Sequence, residues 1–143
     1  MAILYRHQAL AELAAPIDVR GAFINTGAEL DGLAAVARVF DTARQFIRIV
    51  DPYLDQTAVT TFAVLAAENI AVELLSDTRT VRPNLEPMAR AFGNQHGATR
   101  PLSLRLAPPR ALHDRLIVVD GQQVWSVTQS LKDLAAKDRL RRL

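Results

Sequence analysis

The 143 residues are half hydrophobic and 22% charged with a net charge of +2, a globular balance that excludes a disordered chain. The chain has no cysteine, which excludes disulfides, thiolate metal sites and cysteine nucleophiles. No apolar run approaches the ~18 residues of a transmembrane helix, and so small a charge excess does not by itself point to nucleic acid.

The N-terminal stretch "MAILYRHQALAELAAP" breaks its apolar pattern at Arg6, His7 and Glu12, which makes a poor signal peptide. A cytoplasmic protein is expected, and the first twenty-five residues read as one helix plus a loop. Residues 28 to 45 place Leu30, Leu33, Ala37 and Phe40 at helical spacing. "FIRIV" is a short strand that stops at Asp51-Pro52. A second helix is expected over 56 to 68 with Val59, Phe62, Leu65 and Ala66 inward, followed by the buried strand "IAVELL". Residues 83 to 95 read as a third helix, with Pro83 at its first position or Pro87 delaying its start. "LSLRLA" is a third strand, closed by Pro108-Pro109. "LHDRLIVVD" and "QQVWSVT" are two more strands around a turn at Gly121-Gln122, and "SLKDLAAKDRLRRL" closes the chain as a short helix with a basic tail. Strands alternating with helices predict a single α/β domain with a mixed sheet. Its expected bounds are 28–137, after an N-terminal segment of 1–27 and before a basic tail of 138–143.

One stretch concentrates polar chemistry. Alternation along a strand puts His113, Arg115, Ile117 and Val119 on one face, and Ser126, Thr128 and Ser130 on one face of the next strand. Should the two faces meet, an imidazole, a guanidinium and several hydroxyls converge, a set suited to holding and attacking a phosphate. Each residue has a plainer reading. Asp120 before Gly121 is a natural turn residue. Ser130 and Asp133 make a capping box, whose helix N-terminus is itself an anion site. Lys132 in that first turn runs against the helix dipole, so a phosphate partner or simple solvation both account for it. Asp51 is either a turn residue before proline or a group that orients His113, and Trp125 belongs to the core or to a dimer interface.

His113-x-Arg115 with Asp120 five residues on, the hydroxyl cluster, the downstream "SLKDL" and the upstream "IRIVDPYLD" together resemble the HxKxxxxD signature of the phospholipase D superfamily over residues 28 to 137. The resemblance implies a mixed β-sheet sandwiched between helices and a metal-independent, cofactor-free phosphodiesterase. His113 would attack phosphorus to form a phosphohistidine, Arg115 would occupy the lysine position, and Asp120 would be the motif aspartate. Arg115, Ser126, Thr128, Ser130 and Lys132 would hold phosphate oxygens, with Asp51 behind them. The chain carries a single motif, so a complete site implies a homodimer about a twofold axis. Two departures stand out: arginine replaces lysine at 115, and valine stands at 127 where glycine is usual. The leading expectation is a nuclease or phosphodiesterase on nucleic acid, away from any membrane. The alternative, favoured by Arg115 and Val127, is a non-catalytic module that binds nucleic acid or a partner protein in a larger assembly, such as a defence-related one; the tail's Arg139, Arg141 and Arg142 read as nucleic-acid backbone contacts or as a solvated terminus.

Overall fold

A computed structural model describes residues 3–6, 24–25, 29–127 and 129–135. The first two described pieces are strands, β1 (Ile3–Arg6) and β2 (Ile24–Asn25), where one helix plus a loop is expected from the sequence. Both join the main sheet, so the sheet draws on the N-terminal segment as well as on 28–137. The other strands are β3 (Phe46–Val50), β4 (Ala71–Asp77), β5 (Leu102–Ala107), β6 (Leu116–Val119) and β7 (Gln123–Val127). They form one seven-stranded mixed sheet in the order β2-β1-β7-β6-β3-β4-β5. Strands β3, β4 and β5 run parallel, while β6 is antiparallel to both β3 and β7.

Helix α1 (Glu29–Asp41) buries Ala35, Val36, Val39 and Phe40. Phe40 is inside and Leu33 packs against the core, as expected, while Val36 and Val39 are buried beside a half-buried Ala37. The expected second helix is a π-helical turn, Ala58–Phe62, running into a 3₁₀ turn, Ala63–Leu65. Val59, Thr60 and Thr61 are consecutive β-branched residues with low helix propensity, and the turn still delivers Val59 and Phe62 to the core. Helix α2 (Leu85–His96) starts after both an exposed Pro83 and the cap position Asn84. Pro87 then falls within the first turn, where a missing N–H costs nothing.

Alternation on the strands sends Ile47, Ile49, Val72, Leu74, Ile117, Val119, Trp125 and Val127 into one apolar core with α1, the π turn, Leu85 and Leu131. Every described helix contributes to that core and hence to that face. Among the described residues the helices pack on that face. On the opposite face Arg48, Glu73, Ser103 and Arg105 surround a cavity of about 500 Å³. Among the described residues no helix is long and apolar enough to cross a membrane.

The chain direction fixes where chemistry can gather. Strands β3, β4, β5 and β7 all end at one edge of the sheet, and β6 begins there. The connection from β5 to β6 must pass over the ends of β4 and β3, because β6 lies on the far side of β3. Three strand spacings make that crossing about 14 Å. Ligands of α/β sheets collect at this kind of edge, outside the carboxyl ends of the parallel strands.

Candidate functional site

Asp51 stands at the end of β3 with no solvent exposure. Its Oδ2 accepts the Ser130 hydroxyl at 3.0 Å and the Leu131 N–H at 2.9 Å, while Oδ1 accepts the Tyr53 N–H at 2.9 Å. Residues 131–135 are helical, so this carboxylate caps a helix N-terminus from a position some eighty residues upstream. The expected capping box is thereby rearranged: the Ser130 hydroxyl donates to Asp51, and Asp133 pairs with Lys132 at 3.0 Å. Burial pushes the Asp51 carboxyl above its ordinary value, against the opposing pull of the Leu131 and Tyr53 N–H groups, the Ser130 hydroxyl and the Arg115 charge.

Arg115 is half-buried and bridges β6 to β7. Its Nε donates to the Val127 carbonyl at 3.2 Å, and the Val127 N–H returns a bond of 2.8 Å to the Arg115 carbonyl. Arg115, Asp51, Ser130 and the helix start therefore form one network at the sheet edge. Val127 sends its side chain into the core, so the valine at the glycine position serves packing there.

His113 is exposed and precedes the strand instead of lying on it, because β6 begins only at Leu116. The reason is the partner strand. Leu116 faces Val50, the last residue of β3, and beyond it the chain turns at Pro52, which has no N–H to offer a ladder. The alternation expected to align His113 with Arg115 and Ile117 thus holds only from 116 onward. His113 rides instead on the crossing 108–115. That crossing is anchored on one side by the Arg110 N–H to Asp77 Oδ2 at 2.8 Å and on the other by Arg115.

Asp120 lies at the opposite edge, separated from Arg115 by the length of β6, about 16 Å along the chain. Its carboxylate accepts the N–H groups of Arg44, Gln45 and Phe46, the shortest at 2.7 Å to Gln45. Partial burial works against its charge, but the Gln45, Arg44 and Phe46 N–H groups outweigh that and hold the carboxyl below its ordinary value. It braces the start of β3 and does not join the His113 edge, as its plainer reading has it. Ser126 is buried on β7 beside Leu116, and Trp125 is buried in the core. Lys132 reaches the same edge through the helix start. Thr128, His7 and the tail residues Arg139, Arg141 and Arg142 lie outside the described residues, while His96 closes α2 at the other edge.

Asp77 is the residue that sequence reasoning missed. It ends β4 as Asp51 ends β3, is only 3% exposed, and its carboxylate accepts the N–H groups of Arg79, Thr80 and Arg110. The Arg79 N–H is the first cause, followed by that of Arg110, of a pKa held below the ordinary value. The repeated signal, an apolar strand closed by aspartate in both "FIRIVD" and "VELLSD", was available in the sequence.

No family model matches the chain, and no curated protein matches it. Among solved structures it is similar to TrmBL2, an archaeal chromatin protein described as showing a novel mode of DNA binding. That likeness has a TM-score of 0.43 and 9% identity over 78% of this chain and 45% of the other. The chain thus spans less than half the length of that protein, and a likeness at that score says nothing of what this chain binds.

Proposed function

We propose that this chain is a phospholipase D-like phosphodiesterase that acts on nucleic acid as a homodimer. One observation carries the reading: the topology delivers His113, Arg115, Ser130 and Lys132 to a single sheet edge, with His113 exposed on a crossing anchored at both ends. An exposed imidazole at the same sheet edge as cationic side chains is equipped to meet a phosphodiester. In the reaction, His113 attacks phosphorus and the sugar oxygen departs. The twofold-related His113 protonates that oxygen, then removes a proton from the water that hydrolyses the phosphohistidine. This chemistry calls for no metal.

A second reading has its own observation. Arg115 and the Ser130 hydroxyl are already engaged inside the protein, which favours a module that binds nucleic acid or a partner protein without cutting. Incubating labelled DNA and RNA with the protein in EDTA, beside His113→Ala, separates the two. Cleavage lost in the variant supports the enzyme. Binding by both proteins with no cleavage supports the module, and neither binding nor cleavage removes the enzyme and leaves only a module that binds a partner protein.

A further inference from the structure

The loops at the site edge carry a surface that the motif does not include. The Asp77 carboxylate fixes two of them together, taking the Arg79 N–H at 2.7 Å and the Arg110 N–H at 2.8 Å. A third loop is tied in by the Arg82 N–H to the Leu54 carbonyl at 2.9 Å and by the Thr80 hydroxyl to the Pro52 carbonyl. Between those last two contacts stands Tyr53, 43% exposed, with its N–H held by Asp51. Arg79, Arg82 and Arg110 are all exposed, and among the described residues none of them forms an ion pair. The acids nearby are mostly occupied: Asp51 and Asp77 hold backbone, and Asp55 takes the Thr57 N–H and hydroxyl, leaving Asp114 as the exposed carboxylate of the crossing.

We propose that Tyr53, Arg79, Arg82 and Arg110 form a docking track for single-stranded nucleic acid leading to His113. This rests on the phosphodiester reading above and adds the class of strand. Three exposed arginines on loops whose backbone is tied to one carboxylate offer guanidinium forks to successive phosphates. The exposed Tyr53 on the loop tied to them supplies a π-face, and only an unpaired base can lie flat on it. A duplex keeps its bases stacked on one another and gains nothing from Tyr53.

The test is equilibrium binding of fluorescent single-stranded and double-stranded oligonucleotides of one sequence, by anisotropy across a salt series. All four side chains are exposed, so their replacement leaves the core intact. Single strands are expected to bind more tightly, Tyr53→Ala to weaken them about tenfold, and Tyr53→Phe to restore them. Replacing the three arginines with alanine should lower the slope of log affinity against log salt by about 2, from ~0.7 per lost phosphate contact. Equal affinity for duplex, or unchanged binding in Tyr53→Ala and the triple variant, overturns the track. If His113-dependent cleavage persists in that case, the phosphodiesterase reading stands while the track falls; if the unaltered protein retains no nucleic acid, both fall.

Discussion

Asp51, itself buried away from water, ties three parts of the chain together through three donors and one neighbouring positive charge. Asp51→Ala leaves the Leu131 and Tyr53 N–H groups and the Ser130 hydroxyl without their acceptor and strips Arg115 of its counter-charge. Stability is expected to fall by about 3 kcal/mol, read as a shift in the urea midpoint at constant slope. Ser130→Ala removes one of those bonds and should cost about 1 kcal/mol. The pH dependence follows from the raised pKa of Asp51. The folded protein holds this proton more tightly than the unfolded chain, so the contribution is complete below the ordinary value of 3.8 and is lost as pH rises through the elevated folded value. Asp51→Asn, which cannot titrate, should flatten that part of the stability curve. A wild-type-minus-variant difference that does not change with pH would contradict the assignment.

Asp120 and Gly121 sit at positive φ, 55° and 69°, in the turn closed by the Gln122 N–H to the Val119 carbonyl. Two consecutive positive-φ residues are what a type I′ hairpin turn needs, and the Asp-Gly pair supplies them. The turn is centred one residue before the expected Gly121-Gln122. A Cβ at Gly121 would meet only the Phe46 ring at an ordinary 3.5 Å, so Gly121→Ala should cost about 1 kcal/mol through the backbone alone. Calorimetry or urea unfolding of that single variant checks it. At this scale the sequence was most legible where pattern and length agreed. The runs at 46–50, 71–77 and 102–107 read as strands because apolar residues facing the core alternate with Arg48, Glu73, Ser103 and Arg105 on the other face. Strands β1 and β2 escaped because four and two residues carry too little pattern, and because β1 pairs with the distant β7 and β2 only with β1. The π turn escaped because its inward residues keep a helix-like spacing whichever hydrogen bonds form.

Across the whole molecule, the site was legible as a list but not as an arrangement. His113, Arg115, Ser130 and Lys132 were named from the motif, yet the helix cap by Asp51 joins residues 80 apart and leaves no local mark. The start of β6 at Leu116 depends on where β3 ends, a long-range fact that alternation within one strand cannot supply. The same logic parts Asp120 from the site, since five residues of strand carry it to the far edge. A single copy presents one His113, so the proposed chemistry needs two copies with their crossings facing each other about a twofold axis. Light scattering should therefore give twice the chain mass, and a dimer whose contacts leave the 108–115 crossing solvated would favour the binding module.

The most direct measurement is to capture the reaction on His113 itself. The protein is mixed with labelled oligonucleotide in EDTA, quenched in base, where phosphohistidine survives, and digested for mass spectrometry. A nucleotide adduct on the peptide containing His113, absent in His113→Ala, is the predicted result. Product accumulating with no adduct at His113, or an adduct on another side chain, would contradict the nucleophile assigned to this edge of the sheet.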